Sequence, residues 1–241
     1  MRYDDSFFMQ CLVLKMKSNK AFRHIESEGL LPVPSASTIR KGISSSNSSF
    51  GFNDLALQHI NKALAGLPGA ARWGSLIWDE IKIKKDLTWD SAKLEWHGKV
   101  NFGDDIITKV ENDLADHVLV FMFRPYKHSW VQPFACFATK GAASGEMLHE
   151  LVIKAICALN THSAIVKNCV SDGCQTNKSV MKLLKIQGTN VKATKTRKEA
   201  PCQHFFLHPL DEQIKIYFFV DVPHLIKCVR NNIFIHKRVQ V

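Results

Sequence analysis

The chain has 241 residues, 46% of them hydrophobic, and its 32 Lys and Arg against 22 Asp and Glu give a formal net charge of +10. Such a chain can bury a sizeable core, and because no apolar run reaches the roughly 18 residues of a membrane span, we expect a globular intracellular protein. Seven scattered cysteines indicate reduced core thiols rather than a disulfide framework, and the positive charge favours a polyanionic partner such as nucleic acid.

The first predicted unit is helical and covers residues 1–70. Apolar residues recur at helical spacing over 4–42, and after a Gly/Pro-rich turn a short helix carries Arg40 and Lys41. Two short helices around such a turn are typical of a helix-turn-helix, whose second helix enters a DNA groove, but an ordinary helical hairpin has the same pattern. A Ser-rich stretch at 44–49 predicts a linker before one more amphipathic helix.

The pattern changes to strands after residue 70. Four β-rich runs bounded by polar turns predict an antiparallel meander, and they read "SLIWDEIKIKK", "KLEWHGKVNF", "HVLVFMF" and "WVQPFACFA". The chain then alternates between helix and strand and finishes in a helix with Pro223 near its start. These elements predict an α/β domain over residues 71–241, in which a mixed sheet is flanked by helices.

A carboxylate stands out in the first strand of this domain. Alternation places Asp79 on the same face as Ile77 and Ile81, whereas Glu80 falls on the face of Lys82. An ionised carboxylate on an apolar face is costly unless it is paired, hydrogen-bonded or bound to a cation. Asp79 is therefore a candidate metal ligand, and the alternative is a buried, hydrogen-bonded aspartate.

A second carboxylate, Asp172, ends the strand "SAIVKNCVSD" and precedes Gly173. Asp-Gly is common in turns, but the carboxyl ends of strands are also where α/β sheets place their sites. Mg²⁺ prefers carboxylate oxygens, and paired metal ions assist phosphodiester cleavage. Asp79 and Asp172 on adjoining strands of a basic protein therefore fit a magnesium site.

Four segments, in this order, resemble the P-element-type transposases, including their THAP-domain relatives. The resemblance covers roughly residues 10–236 and is carried by "LIWDEIKIKKDLTWD", "LVFMFRPYKHSWVQPFACF", "CVSDGCQTNKSVMKLL" and "FFLHPLDEQIKIYFFVDVPHLIKCVRNNI". It implies a ribonuclease-H-like fold with Asp79 and Asp172 as catalytic ligands of Mg²⁺ or Mn²⁺. It further implies DNA as partner, as transposon ends and target, together with a nuclear location, and it leaves self-association open.

The sequence also departs from that family. Val241 falls before the expected GTP-binding insertion and before the helix that bears the third catalytic carboxylate. Cys11 is the only cysteine before Cys136, so the N-terminal zinc-binding module is missing as well. We therefore expect negligible nuclease activity from this chain alone. The alternative is a domesticated relic that binds DNA or protein without catalysis.

Other polar residues have competing interpretations. Asp221 is either a third acidic group or, as the position before a helix favours, an N-cap, and His224 has only a packing or hydrogen-bonding role. Glu146 or Glu150 would complete the acidic set of an unrelated nuclease.

Two further groups lie near the end of the chain. Cys202, His204 and His208 resemble zinc ligands, but the spacing fits no standard finger and a turn at His208 is favoured. A basic loop suits phosphate contacts, although a solvated loop explains it equally well. Its candidate residues are Lys192, Lys195, Arg197 and Lys198.

Overall fold

The computed structural model describes residues 3–44, 50–91, 95–103, 113–186 and 203–236. The chain divides into two compact units, Met1–Ser49 and Phe50–Val241. In the described part, no helix is long and apolar enough to cross a bilayer. The cysteines of this part are free thiols, and Cys11 and Cys169 are buried.

The described part of the first unit, residues 3–44, contains three helices, α1 (Asp5–Lys17), α2 (Asn19–Ser27) and α3 (Ala36–Ser44). The side chain of Ser18 accepts a hydrogen bond from the Ala21 N–H, which separates α2 from α1 by a cap. One buried residue from each helix forms the small core, namely Cys11, Phe22 and Ile39. The predicted helical N-terminal segment is confirmed. The α2–α3 connection is longer than the roughly 3–4-residue turn of a helix-turn-helix, which favours a simple helical arrangement.

The second unit is built on a seven-stranded sheet in the order β1-β6-β5-β2-β7-β9-β8, with a separate β3-β4 hairpin. Its strands are β1 (Gly51–Phe52), β2 (Trp73–Lys82), β3 (Thr88–Asp90), β4 (Glu95–His97), β5 (His117–Pro125), β6 (Gln132–Thr139), β7 (Ile165–Ser171), β8 (Phe205–His208) and β9 (Asp211–Val220). Its helices are α4 (Asp54–Leu64), α5 (Gly145–Thr161), α6 (Gln175–Leu183) and α7 (Val222–His236), with a 3₁₀ turn at Gly69–Arg72.

The sheet is mixed, as predicted. Strands β2, β5 and β6 form an antiparallel meander, while β7 runs parallel to β2 and β9 runs parallel to β7. Three of the four predicted runs form this meander. The run "KLEWHGKVNF" instead contributes β4, which pairs with β3 in the separate hairpin. Alternation along β5 buries Leu119, Phe121 and Phe123 completely, because these side chains share the face that joins the main core. Residues of α4, α5 and α6 join the same core cluster. The prediction of a mixed sheet flanked by helices is confirmed.

The division of the chain differs from the predicted boundary at residue 70. Helix α4 belongs to the second unit, since Leu57, Ile60 and Leu64 are buried in the core cluster of the sheet. The boundary therefore falls at the Ser-rich stretch predicted as a linker, whose residues 45–49 lie outside the described part.

Candidate active site

The carboxyl ends of β2 and β7 carry the two predicted aspartates. These strands are parallel neighbours, with Ile77 opposite Val170, and two further residues along each strand lead to Asp79 and Asp172. Both side chains line one cavity of about 240 Å³. The fold thus brings together two carboxylates that are 93 residues apart in the sequence.

The burial of Asp79 differs from the prediction. The buried face of β2 carries Leu76 and Trp78, whereas Asp79 is exposed and Ile81 is 56% exposed. Asp79 is therefore not a costly buried charge, and the prediction that it lies on a buried apolar face is wrong. β2 is apolar on both faces, so alternation alone does not identify the core side. The position of Asp79 at the cavity is the feature that qualifies it as a candidate ligand.

Asp172 is held by the first turn of α6. Its Oδ1 accepts hydrogen bonds from the Cys174 N–H at 3.1 Å and from Nδ2 of Asn177 at 2.6 Å. Burial alone would raise the pKa of Asp172, but the hydrogen bonds from Cys174 and Asn177 and the nearby His224 outweigh burial and lower it. Asp172 is therefore ionised at neutral pH, as a metal ligand must be.

Asn177 is a positioning residue that the sequence prediction missed. It is buried, and its Oδ1 accepts a hydrogen bond of 2.8 Å from the indole Nε1 of Trp78. An indole N–H only donates, so it turns the amide oxygen of Asn177 toward Trp78 and the amide N–H toward Asp172. The only signal in the sequence was an Asn five residues beyond Asp172, in the first turn of the helix that follows it.

Glu80, which the sequence analysis did not select as a candidate, also lines the cavity. Its Oε1 accepts a hydrogen bond of 3.0 Å from the Ala143 N–H. Burial is the main cause that raises the pKa of Glu80, and the negative charges of Asp172 and Asp79 raise it further. The site therefore concentrates negative charge, which favours a cation.

His117 lines the same cavity, and its Nδ1 lies 2.7 Å from Oδ1 of Asp116. The Gly141 N–H, at 2.5 Å, is the main cause that holds the pKa of Asp116 well below its usual range, followed by His117 and Lys85. Asp116 thus fixes the ring of His117 at the rim of the site.

Among the described residues of the second unit, the other predicted site residues do not line this cavity. Arg40 and Lys41 are exposed on α3 of the first unit. Glu146 and Glu150 are exposed on α5, where Glu150 pairs with Lys154 at 2.9 Å. Residues outside the described part include Cys202, Lys192, Lys195, Arg197 and Lys198.

Asp221 and His208 have structural positions. Asp221 follows β9, and its carbonyl accepts a 3.0 Å hydrogen bond from the Leu225 N–H, as an N-cap residue does. Its own N–H donates to the Ser171 carbonyl, so Asp221 lies one strand beyond Asp172 on the same sheet edge. His208 ends β8, and its Nδ1 accepts from the Leu210 N–H, which confirms the predicted turn.

The donor set partly fits a divalent metal ion. Two carboxylates beside an open cavity match Mg²⁺, which keeps several water ligands. In the described ranges, no three His, Cys, Asp or Glu side chains are placed to hold a metal together. The described residues therefore offer two protein ligands and leave the remaining coordination positions to water or to other groups.

Comparison with known proteins identifies relatives of this chain. A family model described as TNP-like, RNase H N-terminal domain, matches residues 48–185. The chain is 27% identical over 214 residues to the Transposable element P transposase of Drosophila melanogaster. These aligned residues cover 88% of this chain and 24% of that protein. It is 24% identical over 220 residues to the DNA transposase THAP9 of Homo sapiens, covering 90% of this chain and 23% of that protein.

A solved structure shares the fold. The Drosophila P element transposase strand transfer complex aligns with a TM-score of 0.67 and 23% identity, over 96% of this chain and 44% of that chain. The fold is RNase H-like, as predicted. This chain spans about a quarter of the length of the curated relatives it matches. Because the family model covers more than half of its residues, the chain belongs to the TNP-like, RNase H N-terminal domain family.

Proposed function

We propose that this chain is the catalytic-core segment of a P-element-like DNA transposase. The observation that carries the proposal is the convergence of Asp79 and Asp172, from neighbouring parallel strands, on one cavity. The similarity to two transposases over most of this chain supports the same reading. DNA as substrate and a nuclear location belong to the proposal.

An RNase H-like fold implies a divalent metal ion in general, and we propose Mg²⁺ or Mn²⁺ held by Asp79 and Asp172. When bound, such an ion activates water and stabilises the leaving oxygen in phosphodiester cleavage. Asn177 orients Asp172 for this task, since its amide donates to Oδ1. Lys82, which lines the cavity and is exposed, offers a positive charge to a DNA phosphate.

We further propose that strand cutting needs a carboxylate in addition to this pair. The described residues supply no set of three metal-binding side chains, and two carboxylates bind a divalent ion weakly. The same observation favours a second candidate function, a relic that binds DNA without catalysis. Both candidates predict DNA binding and negligible nicking by this chain alone.

Mn²⁺ titration followed by paramagnetic resonance tests the metal site. We expect wild-type protein to bind Mn²⁺ and Asp79→Asn and Asp172→Asn each to weaken binding by at least about tenfold. Asp54→Asn is the matched control, because Asp54 is an exposed carboxylate at the start of α4. Unchanged Mn²⁺ affinity in both cavity variants would refute the metal role of this pair.

Plasmid nicking in Mg²⁺ or Mn²⁺ tests the need for a further carboxylate. We expect wild-type chain and both Asn variants to leave supercoiled plasmid intact. Metal-dependent nicking by wild type that both variants abolish would mean that this chain holds a complete active site, and would exclude the non-catalytic relic.

A further inference from the structure

Two exposed tryptophans face each other on the β3-β4 hairpin. Trp89 and Trp96 are directly paired across the strands, with ring centroids 5.2 Å apart and planes at 61°. Trp89 is 44% exposed and Trp96 is 51% exposed, and neither belongs to the hydrophobic core clusters. The pair therefore offers flat aromatic surface to the solvent without serving the core.

The base of this hairpin is tied to the segment that leads into β5. The Ile83 N–H donates to the Asp116 carbonyl at 2.8 Å, and the Ala115 N–H donates to the Gly98 carbonyl at 2.9 Å. Lys85 adds an ion pair of 3.2 Å with Asp116, the residue that also binds His117 at the cavity. These contacts attach the base of the hairpin to the segment that carries Asp116 and His117.

The hairpin follows β2, the strand that carries Asp79, after the short segment 83–87. Between that carboxylate and the indoles the chain presents three exposed lysines, Lys82, Lys84 and Lys85, and Lys82 lines the cavity itself. The hairpin sequence also contains Asp86, Asp90 and Glu95, so its own charge is not strongly attractive to phosphate. Positive charge thus lies near the cavity and aromatic surface lies beyond it.

We propose that Trp89 and Trp96 bind unpaired bases of a DNA strand whose backbone crosses Lys82 and Lys84 to reach the cavity. Bases stack on exposed aromatic side chains while lysines contact the phosphates, which is how proteins bind single strands without reading sequence. Bases within a duplex are already stacked, so the surface selects single-stranded or frayed DNA. This inference rests on the proposed function, because it gives the same cavity its DNA strand.

Fluorescence anisotropy with a labelled oligothymidylate and with a duplex of mixed sequence tests this inference on the full chain. We expect Trp89→Ala/Trp96→Ala to weaken single-strand binding about tenfold or more, with duplex affinity changed less than about twofold. Trp89→Phe/Trp96→Phe keeps two aromatic faces and should retain most of the affinity. Trp73→Leu is the control, since Trp73 is a 38% exposed tryptophan at the opposite end of β2.

The outcomes separate this inference from the proposed function. Unchanged single-strand affinity in the double Ala variant, with duplex binding intact, overturns the inference and leaves the function standing. If the wild type binds duplex DNA but no single-stranded DNA, the inference is likewise overturned and the proposed function still stands. Wild type that binds neither DNA refutes the function and the inference together. If the Ala variant changes only the oligomeric state in size-exclusion chromatography, the indoles form a protein interface and the inference is wrong.

Discussion

The amide of Asn177 links the hydrophobic core to the candidate active site. The Trp78 indole lies in the core at 2% exposure and donates to Asn177, which in turn donates to Asp172. Because the indole has no acceptor, the amide has one orientation that satisfies both neighbours. The direction of the Asp172 carboxylate is thus set by a residue on β2, the strand that carries Asp79.

Trp78→Phe tests this link. It leaves the buried amide oxygen of Asn177 without its donor, so we expect a loss of about 1–3 kcal/mol in the free energy of unfolding beyond the lost ring volume. We also expect weaker Mn²⁺ binding, because Asn177 is then free to rotate away from Asp172. Urea denaturation and Mn²⁺ titration measure the two effects.

Trp130→Phe is the control for lost volume. The half-buried Trp130 packs on Phe123, and in the described ranges its indole has no hydrogen-bond partner. A Trp78→Phe variant as stable as this control, with wild-type Mn²⁺ affinity, would contradict the link.

Asp116 gives a prediction of pH dependence at the same scale. Its folded-state pKa lies below its ordinary value of 3.8, chiefly through the Gly141 N–H and then His117. Its contribution to stability is therefore present above about pH 4 and is lost as the pH falls below that value. Asp116→Asn removes the charge and with it this contribution.

Thermal unfolding of both proteins between pH 6 and pH 2 measures the contribution of Asp116. We expect a lower Tm for Asp116→Asn at pH 6 and a difference between the two proteins that shrinks below about pH 4. A constant difference at all pH values would show that the charge of Asp116 does not stabilise the fold.

At the scale of elements, the hairpin depends on one backbone contact. Gly98 has φ of +113°, and a Cβ atom there would lie 1.8 Å from the carbonyl oxygen of Asp86. The strand that enters the hairpin and the strand that leaves it approach too closely at this point for any side chain. Only glycine meets both the steric and the conformational requirement.

Gly98→Ala should therefore displace the hairpin. We expect loss of the exciton circular dichroism signal of the paired indoles, and a stability loss above the roughly 1–2 kcal/mol of left-handed strain alone. Gly66→Ala is the control, because Gly66 has φ of +78° and open space where its Cβ would lie. An exciton signal that survives Gly98→Ala would contradict the steric argument.

Elements with regular patterns were predictable from the sequence, and contacts between them were not. Alternation gave the meander because β5 buries every second side chain, and helical spacing located α5. Strand β8 was not predicted, because its four residues are too few to show an alternating pattern. The contacts of Asn177 and the exposure of Asp79 depend on which face of the sheet the helices cover. The periodicity of one strand does not give that information.

At the scale of the whole molecule, the net charge of +10 predicts how binding depends on salt. Each phosphate neutralised by Lys or Arg releases counterions, so the logarithm of duplex affinity falls with the logarithm of salt concentration by about 0.9 per contact. The slope therefore counts phosphate contacts, whichever residues make them. Two basic groups remain predicted contacts, namely the pair Arg40 and Lys41 and the predicted basic loop over 192–198, which lies outside the described part.

Alanine substitution of each group separates their contributions to the slope. If all four predicted loop residues contact phosphates, their joint replacement should lower the slope by about 3 to 4, and Arg40→Ala/Lys41→Ala should lower it by about 2. The loop residues to replace are Lys192, Lys195, Arg197 and Lys198.

A charge-matched control distinguishes local contacts from the general field of the protein. It removes four other exposed cations, which are Lys62, Arg124, Lys127 and Lys182. If only the general field of the protein matters, removing four positive charges weakens binding equally in the control and the loop variant. If the loop residues contact phosphates, the slope falls in the loop variant alone. Equal slopes in these two variants would therefore mean that the loop attracts DNA only through net charge, and its residues would no longer be predicted contacts.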